Sequence, residues 1–155
     1  MEFRLAAITL DEKSVVQRSR AVEQEREIAI YDILEANVFK PEGSSGGPYH
    51  LTLGLEESRL VLDIALENGA APSRMTLSLT PLRKTMKDYF LVCESYYKAI
   101  RTAPLPQIET LDMSRRAIHD EGSKLLGERL EGKIAVDHDT ARRLFTLICV
   151  LHLKV

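Results

Sequence analysis

"LTLGLEESRLVLDIALENGAAPSRMTLSL", residues 51–79, alternates apolar and polar positions in three successive runs. Leu51, Leu53 and Leu55 share one side of the first run. Leu60, Leu62, Ile64 and Leu66 share a side of the second, and Met75, Leu77 and Leu79 a side of the third. Successive side chains of a strand point to opposite faces, so each run predicts a strand with one apolar side. Asp63, Thr76 and Ser78 fall on the opposite sides. The short turns at 56–58 and 67–73 join the runs into an antiparallel meander whose apolar face must be covered.

The cover comes from helices, which makes the expected fold class α+β: a small antiparallel sheet, a three-stranded meander with helices on one face. "FRLAAITL" (3–10) is available as a fourth, N-terminal strand. Val22, Ala29, Ile33 and Asn37 recur at helical spacing, predicting a helix from Arg20 to Val38 with Ser19 as its cap. The Gly/Ser-rich 40–49 segment follows a helix, precedes a strand and lacks a Gly-Lys-Ser/Thr ending, so it is a linker rather than a phosphate cradle. Thr80 caps and Pro81 opens a central helix whose stripe runs through Leu82, Met86, Phe90, Cys93, Tyr97 and Ile100. Residues 106–131 are helical, in one piece or in two divided at Gly122 or before Asp112. "KIAVD" (133–137) is a short strand or a connector. The last helix, "TARRLFTLICVLH" (140–152), is apolar nearly all round, which suits a buried core position or an interface with a second copy of the chain.

With 155 residues, 45% hydrophobic and 28% charged, the chain is expected to form a single globular domain spanning 1–155. A formal net charge of −2 argues against a general polyanion binder and leaves nucleic acid only a local basic patch. No apolar run reaches the ~20 residues of a membrane span. The N-terminal apolar segment lacks a basic flank, so no signal peptide is expected. Cys93 and Cys149 lie in apolar helical runs and are expected as buried free thiols of a cytoplasmic protein.

Three short segments share one spacing: a cap-like residue, two residues, then two bases. They are "TPLRK" (80–84), "DMSRR" (112–116) and "DTARR" (139–143). With Asp139 as cap, Arg142 and Arg143 fall in the first turn of the last helix, where the helix dipole favours acids over bases. An anion at such an end would meet free amides and two cations. Arg83, Lys84, Arg115, Arg116, Arg142 and Arg143 are therefore the candidate anion-binding residues. The ordinary alternative is that these bases pair with neighbouring acids or lie in solvent.

His119, Asp120 and Glu121, and Asp137, His138 and Asp139, form two acid–histidine groups without metal-ligand spacing, so no metal is expected. His50 and His152 are expected to be structural. No nucleophile elbow, HExxH, CxxC pair, P-loop or dinucleotide fingerprint occurs, and the pattern calls for no cofactor and names no catalytic residue.

"GGPYHLTL", "ESRLVLDI", "SLTPLRKTMKDYF", "CESYYKAIR", "DMSRRAIHDEGS" and "DTARRLFTLICVLH" together resemble a small bacterial family, number 0262 among the uncharacterised protein families. The resemblance runs from about Arg20 to the C-terminus. It implies a bacterial cytosolic protein and brings no established activity. The functional expectation is a non-enzymatic binding or regulatory module that recognises a protein or a phosphorylated ligand. The alternatives are an enzyme acting on a phosphate-bearing small molecule and a nucleic-acid binder. Clustering of the six basic residues favours the enzyme or the nucleic-acid binder, and their dispersal, each paired with an acid, favours the binding module.

Overall fold

The three alternating runs form consecutive strands of one sheet, and helices cover its apolar face. The computed structural model describes residues 2–11 and 20–152. The predicted Ser19 cap and the His152 side chain lie outside what is described. In chain order the elements are β1 (Leu5–Asp11), α1 (Arg20–Glu35), β2 (Phe39–Pro41), β3 (Tyr49–Glu56), β4 (Arg59–Leu66) and β5 (Ser73–Ser78). A 3-10 turn (Thr80–Leu82), α2 (Arg83–Thr102), α3 (Leu105–Leu130), β6 (Ile134–Val136) and α4 (His138–His152) complete them.

The main sheet has the order β1-β3-β4-β5. Leu53 faces Leu62, Leu51 faces Ile64 and Leu60 faces Leu77 across antiparallel ladders, so the alternating leucines meet on one side. The opposite side is polar: Arg74 clamps Asp63 with hydrogen bonds of 2.7 and 3.2 Å, and Thr9 meets His50 at 2.9 Å. One correction concerns the edge. β1 pairs with β3 in parallel, so the sheet is mixed rather than wholly antiparallel. A two-residue hairpin would enforce antiparallel pairing, but here the chain returns through α1 and β2, which allows the two strands to run the same way.

α1 stops at Glu35 rather than Val38. Asn37, which shares the helical spacing, leaves the helix and bonds the backbone around it. Its Oδ1 accepts Leu5 N–H at 2.7 Å, while its Nδ2 donates to Leu5 O at 3.1 Å and Ile33 O at 2.7 Å. One side chain thus ends α1 and ties it to β1. The chain then enters β2, which pairs antiparallel with β6 in a separate two-stranded sheet. "KIAVD" is therefore a strand.

α3 is a single helix of 26 residues, undivided at Gly122 or before Asp112. Gly122 is instead a contact point: a Cβ there would lie 2.2 Å from the Phe145 ring of α4. α4 lies between α1 and α3 and against β3. Its Leu144, Phe145, Leu147, Ile148, Cys149 and Val150 are all buried, so its near-continuous apolarity is accounted for within the chain. Along α2, Met86, Tyr89 and Cys93 are buried, whereas Ile100 at the end of the predicted stripe is exposed. Among the described residues, no helix is long and apolar enough to cross a membrane.

Candidate functional site

The start of α4 differs from its sequence reading in a way that changes the electrostatics. The cap is Asp137: its Oδ1 accepts Thr140 N–H at 2.9 Å, and its carbonyl accepts Ala141 N–H at 3.0 Å. Asp139 lies inside the first turn and pairs with Arg142 at 3.3 Å. Arg142 and Arg143 therefore sit in the second turn, beyond the end where the dipole disfavours bases. The other two segments depart from the capping pattern as well. Asp112 lies mid-helix in α3, and α2 begins at Arg83 without a side-chain cap, Thr80 belonging to the preceding 3-10 turn.

Four of the six predicted cations nevertheless converge. Arg115 and Arg116 of α3 and Arg142 and Arg143 of α4 line one cleft of about 620 Å³, together with Glu25, Ala29 and Asp32 of α1 and Tyr89 of α2. Arg83 and Lys84 are elsewhere. Arg83 donates to Ser58 Oγ at 2.7 Å in the β3–β4 turn, and Lys84 pairs with Asp88 one helical turn on, at 2.8 Å. The convergence comes from packing: α4 runs between α1 and α3, so the faces of three helices meet over the cleft.

The arginines have unequal partners. Asp112 holds both Arg115, at 2.6 Å, and Arg116, at 3.0 Å. The Arg115 hydrogen bond holds the Asp112 carboxyl below its usual range. The Arg115 guanidinium also lies 4.5 Å from the centre of the Tyr96 ring. Arg142 has Asp139, and neither Asp112 nor Asp139 lines the cleft. Arg143 reaches only the carbonyl of Ala36, at 3.5 Å, just past the C-terminus of α1. Among the described residues it has no carboxylate partner.

Sequence reasoning singles out neither Tyr89 nor Glu25, which also line the cleft. The Tyr89 hydroxyl donates to Glu25 Oε1 at 2.7 Å and the Tyr97 hydroxyl to Oε2 at 2.9 Å, and burial followed by the Glu25 charge raises both phenol pKa values. His119, the histidine of the first acid–histidine group, lines the cleft as well. It shares a 2.7 Å hydrogen bond with Thr146 and packs edge-on against Tyr89 and Phe145, with ring centroids 5.2 Å away in each case. Burial, and then the charges of Arg142 and Arg115, lower its pKa to about 4, so the ring is neutral at physiological pH.

The two acid–histidine groups meet at the edge of this region, His138 Nε2 lying 3.1 Å from Asp120 Oδ1. Among the described residues, no group of three His, Cys, Asp or Glu side chains is placed to hold a metal ion. Cys93 and Cys149 are buried free thiols, and desolvation raises the Cys93 pKa to about 11. A thiol that far above neutrality, enclosed in the core, is a packing group rather than a nucleophile.

The sequence profile of the uncharacterised protein family UPF0262 matches residues 2–154. The chain belongs to the UPF0262 family. A UPF0262 protein of Azorhizobium caulinodans is 61% identical over 153 residues, covering 97% of this chain and 94% of its own. UPF0262 proteins of Rhodopseudomonas palustris (strain BisB5) and Nitrobacter winogradskyi are 55% and 56% identical, each over 97% of this chain and over 93% and 90% of their own. No solved structure matches the fold. Membership therefore sets the chain among bacterial relatives of nearly the same length, and none of these names carries a ligand or an activity.

Proposed function

We propose that this UPF0262 protein is a cytoplasmic binding module whose α1–α3–α4 cleft recognises a small phosphorylated ligand. One observation carries the reading: four arginines from two neighbouring helices line a single cleft, and among the described residues Arg143 has no carboxylate partner. Guanidinium groups suit phosphate because their planar donors engage its oxygens in pairs and keep their charge at any physiological pH. A volume of about 620 Å³ suits a small molecule.

Binding is favoured over catalysis because the cleft's one histidine is occupied. His119 is neutral, bonded to Thr146 and flanked by two aromatic rings, so it orients the wall rather than offering a free base. A nucleic-acid backbone is disfavoured because Glu25, Asp32 and Asp120 also line the cleft and would repel a run of phosphates.

The test is thermal denaturation in the presence of inorganic phosphate, pyrophosphate, mononucleotides or a duplex oligonucleotide. A ligand that binds only the folded state raises the melting temperature with its concentration. The expected result is a rise with one or more of the small phosphates that is lost in the Arg142→Gln/Arg143→Gln variant. A flat response to every small phosphate would refute the proposal, and a response to the duplex alone would move the function to nucleic acid.

A further inference from the structure

The walls of the cleft differ in their free charge. The arginines come from α3 and α4, where the one acid of the lining, Asp120, is paired with Lys124 and His138, while α1 contributes Glu25 and Asp32, seven residues and so about 10 Å apart along one helix face. Glu25 is spoken for by the hydroxyls of Tyr89 and Tyr97. Asp32 is half-buried and, among the described residues, its carboxylate has neither an ion pair nor a side-chain hydrogen bond. Arg143, across the cleft on α4, lacks a carboxylate in the same way. An acid and a base without ionic partners thus line one opening and do not pair with each other. A half-buried charge gains most from a partner that replaces the water it has lost.

We infer that the ligand is an amine-bearing phosphate ester, its phosphate held by the arginines with Arg143 foremost and its ammonium held by Asp32. The inference rests on the phosphate-binding reading and extends it to the second charge of the ligand. A purely anionic ligand would bring its charge up to the α1 carboxylates. A ligand carrying both signs satisfies both walls and matches the polar, charged lining.

The experiment is calorimetric titration of the full chain near pH 7 with 3-aminopropyl phosphate and with propyl phosphate, which differ only in the ammonium group. A hydrogen bond to a charged group is worth enough for the amine to bind about tenfold more tightly. Asp32→Asn should abolish that preference by weakening the amine ester while propyl phosphate binds as well or better, since a repelling carboxylate is gone, and Arg143→Gln should weaken both ligands. Equal affinities in the wild-type protein, or a preference that survives Asp32→Asn, would overturn the inference while the phosphate site stands. Failure of both esters, and of phosphate and pyrophosphate, would overturn the phosphate site itself. Phosphatidylethanolamine vesicles present the same two charges on a lipid. Sedimentation with them, without binding of the soluble ester, would overturn assignment to a free ligand.

Discussion

Gly122 tests how α3 and α4 are held together and, with them, the geometry of the cleft. Replacing it with alanine should help an isolated helix by about 1 kcal/mol, because glycine is a poor helix former. In this fold the added Cβ would lie 2.2, 2.5 and 2.6 Å from three atoms of the Phe145 ring. Ordinary contact requires more than an ångström of further separation, and the ring has nowhere to go. Phe145 is fully buried, with Tyr89 and His119 against it at centroid distances of 6.0 and 5.2 Å. Overpacking costs about 1–3 kcal/mol, and an approach this close to a ring without room to move belongs in the upper half of that range, so after the helix gain the net loss should be roughly 1–2 kcal/mol. For a chain of this size that is a fall of about 2–8 °C in melting temperature. Gly127 is the internal control. It lies in the same helix with nothing within 4 Å of an added Cβ, so Gly127→Ala should stabilise by about 0.5–1 kcal/mol. Adding Phe145→Leu to Gly122→Ala should recover part of the loss, since the two changes share one space. Calorimetric melts of the four proteins decide the matter. If Gly122→Ala is as stabilising as Gly127→Ala, α3 and α4 are not in the contact described.

Other perturbations give separate readouts. His119 takes up a proton at about 6.5 when unfolded and only at about 4 when folded. Its contribution to stability is therefore complete above pH ~6.5 and is lost as pH falls towards 4, by up to about 1.4 kcal/mol per pH unit. Denaturant titrations from neutral pH to about pH 4 should show a shallower loss in His119→Gln than in the wild type, and parallel curves would refute a buried neutral ring. Leu62 is 2% exposed at the centre of the meander, so Leu62→Ala should cost about 2–5 kcal/mol, and an unchanged denaturation midpoint would mean the apolar face is misassigned. Arg142 and Asp139 are an exposed pair at 3.3 Å, so Arg142→Ala should change stability by less than about 1 kcal/mol, and a larger loss in the same titration would make Arg142 part of the scaffold.

The sheet was legible because its signal is local. A two-residue period over 51–79 needs only short turns to become a meander, and the facing leucines follow from it. The direction of β1 was not legible, since it depends on a crossover of nearly forty residues rather than on anything within 3–10. The cap of α4 was misplaced by two residues because "DHD" offers two aspartates and only the backbone decides which one reaches the Thr140 amide. Asn37 kept the helical period, and its role in ending α1 depends on β1, which lies 32 residues earlier.

The candidate site was half visible. Arg115, Arg116, Arg142 and Arg143 stood out as paired bases, but the capping pattern that drew attention to them is not what unites them. They meet because α3 and α4 pack side by side, and the same pattern at Arg83 and Lys84 falls outside the cleft. Arg115 with His119, and Arg142 with Thr146, are four-residue spacings that place each pair on one helix face. That signal was present in the sequence, although it becomes selective only once the neighbouring helix is known. Asp32 and Glu25 carried no comparable mark, because acids along α1 look like an ordinary solvated face.

The most direct test of the cleft as a phosphate site is a heteronuclear NMR titration of the protein with inorganic pyrophosphate, following backbone amide and arginine side-chain resonances. Saturable shifts should concentrate at residues 25–32 of α1, 115–120 of α3 and 142–146 of α4, and should disappear in Arg142→Gln/Arg143→Gln. Saturable shifts centred on Arg83 and Lys84 instead, or no saturable shift at all, would contradict the account.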